Sequence, residues 1–327
     1  MRYLYRGEEG EVIPDEATHI IIMQARVILE WAFDNHRNIV EVICYDGVEK
    51  IEAFAFYKCP SLRRVIIPGV QIVEERAFGY CKALTDVECD KLRIIKENAF
   101  ESCEFLGRIN LPAAEIVKEG AFESCTALTQ AKFGPSSLLR FDSGLFCGCT
   151  SLERITLPLK NGIFTDDDIF QACGNLVHVD LVERAELHEI IAALHLEEWR
   201  NDIKEEIDSI NQNLPNALAG RLYEYGDEEE EYGGKTQAIR TWISSVLCKI
   251  IHYQQEHQHI LDKAATTLQY TFPQDIVMNN VLPFLELPSL MFEVGNEGDA
   301  EDADENISMS WGEYEEEVND GGDYYSM

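Results

Sequence analysis

The sequence predicts an α/β repeat solenoid: a right-handed coil with one parallel β-ladder of about eight short strands, then an antiparallel helical pair and a disordered acidic tail. Three observations lead there. A small residue followed by Phe recurs at Ala32-Phe33, Ala55-Phe56, Ala77-Phe78, Ala99-Phe100 and Ala121-Phe122, with weaker copies at Leu145-Phe146 and Ile169-Phe170, in steps of 23, 22, 22, 22, 24 and 24 residues. Three residues after each Phe stands Cys59, Cys81, Cys103, Cys125, Cys149 or Cys173, with His36 at the first copy. Three further on comes Ile39, Leu62, Leu84, Leu106, Leu128, Leu152 or Leu176, followed by an apolar pair such as Val65 and Ile67 or Ile155 and Leu157. A period in the low twenties with L-x-x-I-x-L marks a coil in which each turn adds one short strand.

Each recurring residue then has a physical role. Strands alternate faces, so Leu62, Val65 and Ile67 point into the coil and the residues between them point out. Pro68, Pro112 and Pro158 follow strands, where a missing N–H ends the ladder at little cost. Ala lets the turn behind approach closely, and Phe fills the space between the strand and the far wall. Ala17, Ile20 and Ile22 keep the same spacing to Phe33, so a further strand opens the stack, with residues 1–16 as an N-terminal cap. Eight strands make a ladder roughly 38 Å long.

The pattern I-x-x-x-A-F-x-x-C-x-x-L-x-x-I-x-L-P, running over residues 17–182, resembles the leucine-rich repeats of the bacterial surface-antigen (BspA-like) type. The whole arrangement is similar to intracellular algal members with a helical C-terminal region, represented here by ELHEIIAAL, EEWRNDIKEEI and VLPFLELPS. The resemblance implies a binding or adhesion surface. It does not imply what is bound, because the motif residues are core residues.

Beyond the repeats the periodicity becomes helical. From Glu183 to Asn213 one helix is expected, with Leu187, Ile190, Ile191 and Leu194 on one face to cover the last repeat. Leu196, Trp199, Ile203, Ile207, Ile210 and Leu214 lie on the opposite face, toward a second helix. That helix, from about Lys235 to Leu268, offers the stripe Ile239, Ile243, Val246, Ile250, Ile260, Ala264 and Leu268. Residues 183–272 therefore form a helical C-terminal cap, which a solenoid needs. Residues 273–292, with Pro283 and Pro288, form a docking segment. Residues 293–327, with 13 acids and no bases, form a disordered tail.

Composition bounds the function. The chain of 327 residues carries 60 acidic and 27 basic side chains, net -33, and shows no basic run, so neither nucleic acid nor an anionic membrane is an expected partner. No segment suits a signal peptide or a membrane span, which points to an intracellular, cytoplasmic protein, and its ten cysteines to reduced thiols. The cysteine column reads as buried packing, since a free Cys behaves as a small hydrophobe. His252, Glu256 and His259 share a helix face at metal-ligand spacing, but opposite the apolar stripe, where they meet solvent. No catalytic or nucleotide-binding motif is present. The expectation is a protein that is not an enzyme and holds no metal or cofactor, with a Cys/His metal-binding or redox protein as the alternative of another class.

The outward strand positions form two columns. One reads His19, Glu41, Arg64, Asp86, Arg108, Gln130, Arg154, His178, and its neighbour Ile21, Ile43, Ile66, Glu88, Asn110, Lys132, Thr156, Asp180. Adjacent Glu41, Arg64, Asp86 and Arg108 can simply pair with one another. Two features resist that reading: an apolar stripe at Ile21, Ile43 and Ile66, which the cap can cover, and a basic patch at Arg108, Lys132 and Arg154. The expected function is a non-catalytic protein-interaction module binding an acidic protein partner on the concave β-face through Ile43, Arg64, Ile66, Arg108, Lys132, Arg154 and His178, with cell-surface adhesion as the alternative.

Overall fold

In a computed structural model of the protein, successive repeats build two walls of parallel strands. The structure describes residues 1–45, 47–136, 138–182, 185–194, 196–217 and 234–269. The first wall holds β1 (Arg2–Tyr5), β2 (His19–Ile22), β4 (Glu41–Cys44), β6 (Arg64–Ile66), β8 (Asp86–Glu88), β10 (Arg108–Leu111), β12 (Gln130–Phe133), β14 (Arg154–Leu157) and β15 (His178–Leu181). It is hydrogen-bonded as a five-stranded sheet ending at β8 and a four-stranded sheet starting at β10. The second wall holds β3 (Val27–Ile28), β5 (Lys50–Ile51), β7 (Ile72–Val73), β9 (Ile94–Ile95), β11 (Ile116–Val117) and β13 (Arg140–Phe141) in one continuous sheet.

The expected strands are all present, and two additions stand beside them. The N-terminal cap supplies a ninth strand, β1, whose Tyr5 ring lies 5.0 Å from Phe33 and extends the aromatic column. Its loop is closed by Glu11, whose carboxylate accepts hydrogen bonds from the N–H groups of Arg6, Gly7 and Glu8 at 3.0, 3.0 and 3.3 Å and from the Tyr3 hydroxyl at 2.9 Å. The second wall is the other addition. Its strands are two residues long, too short to show alternation, yet the residue five before each Phe (Ile28, Ile51, Val73, Ile95, Val117, Phe141) is buried in every repeat from Phe33 to Phe146.

Between the walls run the Phe and Cys columns. Phe33, Phe56, Phe78, Phe100, Phe122, Phe146 and Phe170 stack nearly parallel with ring centroids 4.7 to 5.7 Å apart. Beside them the cysteines do more than pack. Cys59, Cys81, Cys103, Cys125, Cys149 and Cys173 each donate a thiol hydrogen bond of 3.0 to 3.3 Å to the Phe carbonyl of the preceding repeat. At Phe33, Phe78, Phe100, Phe122 and Phe146 the same carbonyl also accepts a backbone bond inside its own repeat, as Phe78 does from Cys81 N–H at 3.2 Å, so both lone pairs are satisfied there. Burial raises the thiol pKa of Cys125 from 9.0 to about 12.

The helical region departs from expectation. The single helix expected over 183–213 is two, α1 (Ala185–Ala193) and α2 (Glu197–Asn213), and the break resolves the conflict between two opposed apolar faces. Ile190 and Ile191 are buried on α1, Leu194 directly after it, and Ile203 and Ile210 on α2. α3 (Gly234–Gln269) runs antiparallel to α2: Trp242 Nε1 donates to Glu206 O at 2.8 Å, Lys249 pairs with Asp202 and Glu206, and Tyr253 OH reaches Asp202 at 2.9 Å. The buried stripe runs through Ile239, Trp242, Ile243, Val246, Leu247 and Ile250 to His257 and Leu261, whereas Ile260, expected in it, is exposed.

Among the described residues, the end of α2 and the start of α3 close the last rung. Asn211 Oδ1 accepts from Val179 N–H at 2.8 Å while its Nδ2 donates to Val179 O at 3.3 Å. The buried Lys235 amine donates to Leu176 O at 2.7 Å and to Leu214 O at 3.1 Å, tying the helices to the last repeat, and Arg240 pairs with Asp167. The acidic loop at 224–231, the Pro-containing segment 273–292 and the tail 293–327 lie outside the described residues.

Candidate interaction surface

The two outward columns have the register the spacing predicts. His19, Glu41, Arg64 and Asp86 follow one another across the five-stranded sheet, as do Ile21, Ile43, Ile66 and Glu88. Arg108, Gln130, Arg154 and His178 do so across the four-stranded sheet, beside Asn110, Lys132, Thr156 and Asp180. Thus Ile43, Ile66 and Arg64 meet on one sheet and Arg108, Lys132, Arg154 and His178 on the other.

Three zones result along the wall. The first is apolar. Far from covering the isoleucine stripe, the cap lengthens it, because β1 places Leu4 beside Ile21. Leu4 is 46% exposed, and Met23 and Tyr45, directly after β2 and β4, are 55% and 51% exposed. The stripe was legible in the isoleucines; Leu4, Met23 and Tyr45 carry the same signal in the alternation of RYLY, HIIIM and EVICY.

The second zone is acidic. Arg64 lies 3.7 Å from Glu41, 3.3 Å from Asp86 and 2.5 Å from Glu88, so three carboxylates surround one guanidinium. Hydrogen bonding to Glu88 raises the Arg64 pKa, and His19 lies 4.0 Å from Glu41. Arg64 is thus occupied within its own sheet.

The third zone is basic, and narrower than expected. Arg154 is paired with Asp180 at 2.6 Å, which removes it from the proposed patch of three. Arg108 and Lys132 are exposed and make no ion pair among the described residues; Gln130 and Asn110 lie beside them, while exposed His178 lies beside Arg154, two rungs beyond Lys132. Thr156 is buried and does not belong to the surface.

Elsewhere, His252, Glu256 and His259 are exposed on α3, and among the described residues no group of three or more His, Cys, Asp and Glu is arranged to hold a metal. Cys149 belongs to the buried column, and Cys147 donates instead to Gln171 Oε1 at 3.6 Å. No helix among the described residues is long and apolar enough to cross a membrane.

Solved structures similar to this chain include a leucine-rich repeat protein of T. pallidum, at 27% identity over 52% of this chain and 77% of that one with a TM-score of 0.40. A leucine-rich repeat protein from Bacteroides ovatus matches at 16% identity over 50% and 69%, TM-score 0.22. A leucine-rich cell surface protein from Faecalibacterium prausnitzii matches at 16% identity over 56% and 83%, TM-score 0.20. No curated relative matches the chain. The BspA type leucine-rich repeat region matches in six copies, at residues 16–129 and 71–191. Those matches span more than half of the sequence, on the same residues that stack as Phe and Cys columns, and the chain therefore belongs to the BspA-type leucine-rich repeat family.

Proposed function

We propose that this chain is a non-catalytic protein-interaction module that binds an acidic protein partner on the outward face of its first wall. The observation that carries the reading is the pair Arg108 and Lys132: exposed, on adjacent rungs, and without an ion-pair partner among the described residues of a protein of net charge -33. Unneutralised cations in such a surrounding are the strongest local attraction it can offer to an acidic surface. Ile43 and Ile66 supply apolar area, His178 extends the face beyond Arg154, and Arg64 and Arg154 act as members of internal pairs. On this reading residues 17–182 carry the binding face, 1–16 open the stack and 183–272 close it.

A reducing, cytoplasmic location fits the cysteines. Six thiols donate to core carbonyls, a role that oxidation would abolish.

Capture from native cell extract tests the binding face. The full chain and an Arg154→Glu variant are compared with Arg108→Glu/Lys132→Glu. A partner held by the first and released by the double variant is expected; a partner held equally by all three removes the binding face from consideration.

A further inference from the structure

We propose that the outward face of the first wall takes an amphipathic helix of the partner protein, laid along the ladder axis and presenting apolar, then basic, then acidic side chains. This rests on the reading above and specifies what the partner must look like.

The order follows the three zones. Leu4, Ile21, Met23, Ile43, Tyr45 and Ile66 form a continuous partly exposed apolar area at the N-terminal end. Next, on β8, come Asp86 and Glu88, which with Glu41 two rungs back outnumber Arg64, so this stretch favours a cation. Arg108 and Lys132 then favour carboxylates. Opposite charges in register, like charges out of register, fix both partner and alignment.

The rung spacing selects the helix. Adjacent strands lie about 4.8 Å apart, and a helix advances about 5.4 Å per turn. Side chains at i, i+3, i+4 and i+7 therefore meet nearly one rung per turn. An extended chain repeats a face about every 6.7 Å and falls out of step within three rungs. From β1 to β12 there are six rung intervals, about 29 Å, which is spanned by roughly 19 helical residues.

A second copy of this chain does not fit. Whether two such faces meet parallel or antiparallel, the acidic middle zone of one lies against that of the other, and like charges oppose docking.

Two labelled synthetic helical peptides of about 20 residues test the inference by fluorescence anisotropy with the full chain. One carries leucine, lysine and glutamate blocks in the proposed order; the other exchanges the lysine and glutamate blocks. The first is expected to bind at least about tenfold more tightly, and Arg108→Glu/Lys132→Glu to abolish or invert that preference while its circular dichroism is unchanged. Equal binding of both peptides, binding of neither, or a preference that survives the double substitution overturns the inference. If native partner capture nevertheless depends on Arg108 and Lys132, only the helix and its charge order are lost; if capture is independent of them, the underlying reading falls as well.

Discussion

The Asn211 carboxamide pairs with both backbone groups of Val179, accepting from its N–H at 2.8 Å and donating to its C=O at 3.3 Å. One side chain thereby imitates the peptide of a next strand that the solenoid does not have, and closes the edge of β15 against addition of another chain. Asn211→Leu leaves both groups without their partner, at a cost of roughly 1–3 kcal/mol in a half-exposed position. Asn211→Asp keeps the acceptor and sets a carboxylate against the Val179 carbonyl, so it should not restore stability. Urea unfolding of the three proteins checks this, and equal midpoints would falsify the role of Asn211 as an edge closure.

Phe100 lies 5.2 Å from Phe78 and 5.3 Å from Phe122, near-parallel to both. Neither neighbour can move into a gap without leaving its own rung, so the cavity left by Phe100→Ala does not collapse. A loss of about 3–5 kcal/mol is expected, and a smaller loss for Phe100→Leu, which keeps most of the volume. Calorimetric or denaturant measurements showing Phe100→Ala within 1 kcal/mol of the native protein would exclude an unrelaxed cavity.

The first wall was legible because every repeat spends its largest and smallest side chains at fixed positions: Phe78, Phe100 and Phe122 fall 22 residues apart, and the outward columns follow from the alternation. The second wall was not. A pair such as Ile94 and Ile95 is too short to reveal a strand, and only its repetition five residues before Phe marks it. Arg64 and Arg108 occupy the same column and look alike in sequence. What separates them is that Glu88 reaches Arg64 diagonally from the neighbouring column, while Arg108 faces Gln130 and lies across a break in the ladder from β8. Asn211 was invisible because its partner, Val179, lies 32 residues upstream in a different kind of element. The break after α1 was likewise hidden, since no Gly or Pro stands between residues 185 and 213.

Thiol chemistry separates the buried cysteines from the remaining one. Nine are buried and Cys248 is exposed, so Ellman reagent should titrate one thiol in the folded protein and ten after unfolding. Rapid modification of several thiols under native conditions would contradict the packed column.

The same thiols set an alkaline limit. Burial pushes Cys44, Cys89 and Cys125 from 9.0 to about 12. Between those values the unfolded chain releases these protons and the folded chain keeps them, so stability falls as pH rises. Below pH 9 both states hold the protons and the thiols add no pH dependence. Each thiol contributes a slope of about 1.4 kcal/mol per pH unit. Urea unfolding between pH 9 and 11 should show a stability that declines steeply, and a flat profile across that range would rule out the thiols as the cause.

Each repeat turns through a left-handed residue two positions after its Phe: Asn35, Lys58, Tyr80, Ser102, Ser124 and Ala172 all have positive φ, and only the sixth repeat uses glycine, Gly148 at 74°. An L side chain there costs roughly 1–2 kcal/mol, and a glycine returns part of that gain through its greater unfolded-state entropy. Ser124, at φ 57°, is the residue of the repeat just before Gly148 and has a small side chain to lose. Ser124→Gly should therefore stabilise the protein by about 0.5–1 kcal/mol, and Gly148→Ala should destabilise it by about 1 kcal/mol. The two substitutions oppose each other in chemistry and in expected sign, so thermal unfolding of the pair isolates the backbone. A Ser124→Gly protein that melts below the native one would mean that the turn is held by the serine side chain and not merely tolerated by it.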